Sequence, residues 1–200
     1  PKSGLPVHSL YGETKMPTDK MMHGIDIVLV DLQDVGTRFY TYSSTLLFML
    51  RAAEKSGAEV IVLDRPNPQG GMMIEGPVLE PAFASFVGSY AVPVRHGMTF
   101  GELAQMFVGE DRLRTRLRVI PMRGWSRDLA PYLAWDLPWV PPSPNMLSPR
   151  TAAVYPGTAL FEGTNISEGR GSEKPFEYIG GPFIDGAALA ERLNAMGLPG

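Results

Sequence analysis

Two short apolar runs, each closed by an acid, flank one amphipathic stretch early in this chain, and that arrangement narrows the fold more than any other feature. The runs are IDIVLVD at 25–31 and EVIVLD at 59–64. Rich in β-branched residues and without polar alternation, each reads as a strand covered on both faces, as in a parallel sheet. Between them, YSSTLLFMLRAAEKS at 42–56 reads as an amphipathic helix closed by Gly57. Strand, helix and strand in that order make a right-handed crossover between parallel strands. Thr99 and Glu102 have capping-box spacing and open a helix through about Val108, after which LRVIPM at 117–122 reads as a further strand. The fold class expected is therefore α/β, with a Rossmann-like parallel sheet carrying helices on both faces.

From Trp135 the segment WDLPWVPPSPNM holds too many prolines for a helix interior or a central strand. It places a boundary near 140–150. The expectation is a Rossmann-like domain over 1–145 and the start of a second domain over 146–200. Past the boundary come a short helical stretch around 151–161, the polar loop EGTNISEGRG at 162–171 and a helix around 186–196. These elements are too few to close a second core, so a truncated chain is expected.

Charge excludes several classes of partner. Lys and Arg number 18 against 21 Asp and Glu, a net charge of -3, so no basic field exists to attract nucleic acid or an anionic membrane surface. No stretch approaches the roughly 20 apolar residues of a membrane span, and residues 1–20 show no signal-peptide pattern. With Cys 0, disulfides and thiolate ligands are absent, and His8, His23 and His96 are too scattered for a zinc site. A metal site finds no support in these spacings. The absence of G-x-G-x-x-G after the strand at 25–31 argues against a nucleotide enzyme.

In parallel α/β sheets ligands bind beyond the carboxyl ends of the strands, and here those ends carry polar clusters. DLQDVGTRFYTY at 31–42 supplies Asp31, Gln33, Asp34, Arg38 and Tyr40. Two readings stand: a ligand-binding loop, or an Asp34–Arg38 pair that caps the next helix. In LDRPNPQGG at 63–71, Pro66 and Pro68 stiffen the presentation of Asp64, Arg65 and Asn67, although a plain turn uses the same residues. Glu75, in IEGP, is placed for partial burial and general-acid work, or is a solvated turn residue. His96, just before a helix start, either binds a ligand or bonds a loop carbonyl. Glu102 is accounted for by capping alone.

The segment YPGTALFEGTNISEGRG at 155–171 sets Glu162 and Glu168 six apart on a turn-rich loop, where they can converge. Glycoside hydrolysis commonly needs two carboxyl groups, one protonating the leaving oxygen and the other serving as nucleophile or as base toward water. Arg170 either pairs structurally with Glu168 or meets an acidic substrate. Tyr11, Tyr40, Tyr155, Trp125 and Trp139 are each able to stack on a sugar or to fill the core.

Taken in order, LYGETKMP, DLQDVGTRFYTY, LDRPNP, EGP, RHGMTFGELA, PSPNM, YPGTALFEGTN and SEGRG resemble the NamZ-type exo-β-N-acetylmuramidases over nearly the whole chain. The resemblance implies a glycosidase that releases N-acetylmuramic acid from the non-reducing ends of peptidoglycan fragments, working without a cofactor in a cleft between a Rossmann-like domain and a second α/β domain. It also implies a periplasmic or extracellular place of action, with peptidoglycan-derived saccharides as partners. Members of that family carry a further N-terminal segment with a Glu-His-Gly motif and a longer C-terminal domain, so the resemblance implies a chain truncated at both ends, with 1–145 lacking its N-terminal part and 146–200 beginning a C-terminal α/β domain. Carried over position by position, Glu75 and Glu168 are the candidate catalytic acids; Asp31, Arg38, Asp64, Arg65, Asn67, His96, Glu162 and Arg170 are candidate substrate-binding residues. The lactyl carboxylate of such a substrate calls for a guanidinium, from Arg38, Arg65, Arg95 or Arg170. The competing reading is a non-catalytic saccharide-binding or interaction module, in which capping and ion pairing account for the acids.

Overall fold

The computed structural model describes residues 3–129, 131–132 and 138–198, and the chain divides into two compact units, Pro1–Leu137 and Pro138–Gly200. Trp135, where the Pro-rich connection begins, lies outside the described residues. In the first unit the elements run α1 (Asp19–Met22), β1 (Ile27–Val30), α2 (Tyr42–Ser56), β2 (Glu59–Leu63), α3 (Phe100–Glu110) and β3 (Arg116–Ile120). The three strands form a parallel sheet in the order β1-β2-β3, so the α/β class read from the sequence holds.

Register decides which side chains meet the helices. Val28, Val60 and Leu117 lie in one row, and Val30, Val62 and Val119 in another. Both rows pack against Leu46, Leu47, Leu50 and Ala53 of α2 and Phe100, Leu103, Ala104 and Phe107 of α3. Removing each leucine from water stabilises the unit by about 1.5–3 kcal/mol. The alternate rows face away from these helices. There Ile27 is 52% and Leu29 60% exposed, and Glu59 pairs with Arg118 at 3.2 Å. Helices were expected on both faces; among the described residues that expectation is met on one.

The helix ends follow local chemistry. Gly57 adopts left-handed backbone (φ 79°) and donates its N–H to the Ala53 carbonyl, ending α2 as expected. Thr99 and Glu102 form both halves of the capping box at α3. Arg51 of α2 pairs with Asp111, the residue that caps α3, at 2.7 Å, tying the two helices together.

In the second unit Ser148 caps α4 (Pro149–Thr158), and Ser148 and Thr151 both donate hydroxyl hydrogen bonds to Glu177, at 3.1 and 2.7 Å. Pro156 supplies no N–H to α4, and the chain tightens into a 3-10 turn at Ala159–Gly163. Tyr155 meets Phe176 edge to face at 4.7 Å. The last helix, α5 (Gly186–Ala195), has no buried residue. No helix among the described residues is long and apolar enough to cross a membrane.

Candidate active site

At the carboxyl end of the sheet three loops, following β1, following β2 and preceding α3, lock together through polar side chains. Gln33 Nε2 donates to the Pro66 carbonyl at 2.9 Å, and Asn67 Nδ2 to the Met98 carbonyl at 3.0 Å. Asn67 Oδ1 accepts the Gln69 N–H at 2.8 Å. Gly36, at φ 75°, packs so tightly on Asn67 and Gln69 that a Cβ there would overlap both. Asn67 is 2% exposed, so here it positions the loops. Asp64 has a similar task. Its carboxylate accepts the Gly101 N–H at 2.7 Å and the Thr99 hydroxyl at 3.0 Å, fixing the start of α3 against the end of β2. A Cβ on Gly101 would lie 2.8 Å from Asp64 Cγ, a separation only glycine permits.

Asp31 and Arg65 join the first two loops at the surface, with Arg65 Nε 2.7 Å from Asp31 Oδ1 and both side chains nearly half exposed. Arg38 does not pair with Asp34. Its Nη1 donates to the carbonyls of Pro77 and Val92 at 2.6 and 2.7 Å, and burial lowers its pKa. The reason is geometric: the Arg38 N–H bonds the Val94 carbonyl, which carries the side chain along the 75–95 segment and away from Asp34. That segment is a hairpin-like arm, with Glu75 paired to Arg95 at its base and Ser85 to Gly88 at its tip. Glu75 also forms an ion pair with the Arg95 guanidinium. Its side chain is 53% exposed, so the partial burial expected for it is not found.

Asp34 turns instead to Gly36, accepting its N–H at 2.7 Å, and to His96, whose Nε2 lies 3.4 Å away. His96 Nδ1 accepts the Met98 N–H at 3.2 Å, which leaves Nε2 as the nitrogen facing Asp34. Of the two readings of His96, the bond to a loop carbonyl is not found: its Nε2 faces Asp34 within ion-pair range but without a hydrogen bond. Asp34 Oδ1, Thr37 Oγ1, Arg95 Nε and His96 Nε2 are buried and have no hydrogen-bond partner. Thr37 bridges Arg95 and Asp34 faces His96, so the four atoms belong to two adjoining segments. Leaving such groups unpaired costs about 1–3 kcal/mol each, and their concentration marks a place where stability yields to something else.

In the second unit Glu162 and Glu168 converge on one guanidinium, as their spacing allowed. Arg170 Nη2 lies 2.5 Å from Glu162 and its Nε 3.1 Å from Glu168. Burial acts to lower the Arg170 pKa, but the two carboxylates outweigh it and raise the value above that of a free arginine. Glu168 is 8% exposed, and its carbonyl accepts the N–H of Phe176 at 2.6 Å, where the backbone takes a left-handed φ of 65°. The Arg170 guanidinium also lies 5.2 Å from the Phe176 ring centre.

Of the aromatic candidates, Tyr40 and Tyr155 are buried, whereas Tyr11 is 50% exposed. Trp139 donates its indole N–H to the Met146 carbonyl at 3.0 Å. Sequence reasoning missed Arg127, which donates to the carbonyls of Gly71 and Gly97 at 3.1 and 2.9 Å and pairs with Glu102. Its partners are mostly main-chain atoms, and no spacing announces them. Among the described residues no group of three or more acidic or histidine side chains is placed to hold a metal ion.

Residues 1–150 match the family model described as exo-beta-N-acetylmuramidase NamZ, N-terminal, and residues 153–200 match the C-terminal model of the same name. The chain is 54% identical over 199 residues to the peptidoglycan beta-N-acetylmuramidase NamZ of Bacillus subtilis (strain 168), an alignment covering 100% of this chain and 48% of the relative. A crystal structure of a DUF1343 family protein from Bacteroides fragilis superposes with a TM-score of 0.91 at 42% identity, covering 98% of this chain and 52% of that one. A second DUF1343 family protein from the same organism superposes at 0.76 and 39% identity, covering 85% and 48%. The chain thus spans about half the length of the relatives it matches. With both family models matched in order along its length, the chain belongs to the exo-β-N-acetylmuramidase NamZ family.

Proposed function

We propose that the protein to which this sequence belongs is a glycoside hydrolase that removes N-acetylmuramic acid from the non-reducing ends of peptidoglycan fragments. The observation that carries this reading is the 54% identity, without loss of coverage along this chain, to a peptidoglycan beta-N-acetylmuramidase. The chemistry of the chain is compatible with it. Glycoside hydrolysis needs carboxyl groups held in fixed orientations, and Glu75 and Glu168 are each anchored by a guanidinium, from Arg95 and Arg170. In this reading they are the reacting carboxyl groups. Arg95 and Arg170 hold them, and Asp34, His96, Asn67 and Asp64 fix the loops at the carboxyl end of the first unit's sheet. The proposed place of action is the periplasm or the cell exterior, where peptidoglycan fragments are met.

The test is to incubate the full-length protein with muropeptides and follow free N-acetylmuramic acid by mass spectrometry. Its release, one sugar at a time, is expected. Heat of binding in a calorimeter with no released sugar would replace the hydrolase reading with that of a saccharide-binding module.

A further inference from the structure

The four arginines that the sequence offers for an acidic substituent are already engaged. Arg38 holds two carbonyls, Arg65 holds Asp31, Arg95 holds Glu75, and Arg170 holds Glu162 and Glu168. Lys15 differs. Its Nζ donates to the Tyr11 carbonyl at 2.9 Å and lies 5.8 Å from the ring centre of Tyr11 and 5.2 Å from that of Phe86. Among the described residues no carboxylate comes within ion-pair range of it, not even Glu13 on the same loop. Two aromatic rings and one carbonyl therefore fix the ammonium without neutralising it, so the rotamer entropy of a long side chain is already spent before any anion arrives.

The surroundings suit a sugar. Tyr11 is half exposed, its hydroxyl is tied to Thr41 Oγ1 at 2.9 Å, and its ring meets Phe86 edge to face at 5.7 Å. Phe86 stacks in turn on Phe48 of α2 at 5.9 Å, so the platform is rooted in the first unit. Thr41 is the N-cap of α2, beyond the carboxyl end of β1, where ligands of parallel sheets bind. The first turn of α2 carries no acidic residue, so nothing there offsets the positive end of the helix. Phe86 sits at the tip of the same arm that bears Glu75 at its base.

We propose that Tyr11 and Lys15 form a subsite for a carboxylate-bearing sugar, with the pyranose against the exposed part of the Tyr11 ring and the carboxylate on the Lys15 ammonium. This assignment rests on the glycosidase reading and names the residues that make it selective for acidic sugars. The carboxylate belongs either to the sugar being released or to one further along the strand, and substrate length separates the two.

The experiment uses the full-length protein, wild type, Lys15→Met and Lys15→Arg, with thermal melting to establish that all three fold. Kinetics are measured on a chromogenic N-acetylmuramide and on a fragment holding several muramic acid residues, with free N-acetylglucosamine and N-acetylmuramic acid as competing ligands. Loss of one charge-assisted hydrogen bond is expected to raise KM about tenfold or more in Lys15→Met. In that variant kcat stays within about twofold. The inhibition constant of N-acetylglucosamine should not move, and Lys15→Arg should recover most of the affinity. A raised KM on the single-sugar substrate assigns the carboxylate to the released sugar, and a rise confined to the longer fragment assigns it further along. Unchanged KM on both overturns the proposal. Should the wild type cleave neither substrate, the glycosidase reading falls, and calorimetry still decides the subsite: a preference for N-acetylmuramic acid over N-acetylglucosamine that Lys15→Met abolishes supports it, and one that persists overturns it.

Discussion

Arg170 Nε lies 3.1 Å from Glu168 Oε1 while its Nη2 reaches Glu162 at 2.5 Å, so two acids six residues apart share one cation. Glu168 is buried and its charge needs a partner, whereas Glu162 and Arg170 are each nearly half exposed. The shared guanidinium lets the loop hold two like charges close together and fixes the direction of the buried one.

Replacing Arg170 by alanine leaves Glu168 buried without its cation. Breaking a fully buried pair costs about 3–5 kcal/mol; with the guanidinium half exposed, the expected loss is about 1–2 kcal/mol. Differential scanning calorimetry checks it. Arg170→Lys should recover part of the loss, because a point charge serves one carboxylate better than two.

Gly36→Ala strikes the loop framework. The left-handed backbone at φ 75° and the overlap of a Cβ with Asn67 and Gln69 act together, and a strained position of this kind costs about 1–3 kcal/mol. Urea unfolding is expected to show a lowered midpoint with little change in slope. A midpoint equal to wild type would mean that the contact between the 31–41 and 64–71 segments is looser than described.

Asp64→Ala strips α3 of the carboxylate that accepts the Gly101 N–H and the Thr99 hydroxyl. Capping losses run to about 0.5–2 kcal/mol, and the upper half is expected because the capping box cannot replace the bond to Gly101. Hydrogen exchange at the first turn of α3 should accelerate more than exchange in α2.

Tyr90 provides a pH test. Burial first, then its hydrogen bond to Asp111, push the phenol pKa up to about 12 from its ordinary value of 10.0. The folded state thus holds the proton more tightly than the unfolded chain, so the stabilisation is complete below pH 10 and is lost as pH climbs toward 12. Melting temperatures should fall across that window, and Tyr90→Phe should flatten the fall. An identical alkaline profile in the variant would show that Tyr90 does not carry the effect.

Legibility followed the physics of each group. The β1-α2-β2 unit could be read because its apolar periodicities differ and Gly57 ends the helix by a local rule; the capping box at Thr99 and Glu102 is local too. The four residues of α1 are too few to show a period. Arg38, Arg127 and Asn67 escaped their correct partners because those are main-chain carbonyls brought close only by the folded loops. Asp31, Asp34 and Arg65 lie beyond the strand ends and His96 just before α3, as read, yet the pairs they form, Asp31 with Arg65 and Asp34 with His96, cross between loops that sequence spacing cannot align. Glu162 and Glu168 were easier, being six apart on one tight loop.

The measurement that bears most directly on the central claim is the kinetics of the full-length protein carrying Glu168→Gln or Glu75→Gln, acting on a chromogenic N-acetylmuramide. The amide keeps shape and most hydrogen bonding while removing the charge and the acidic proton. Removing a reacting carboxyl group should lower kcat by about 100-fold or more in each variant, with melting temperatures near wild type. Release of N-acetylmuramic acid at the wild-type rate by either variant would contradict the assignment of that carboxyl group to the reaction.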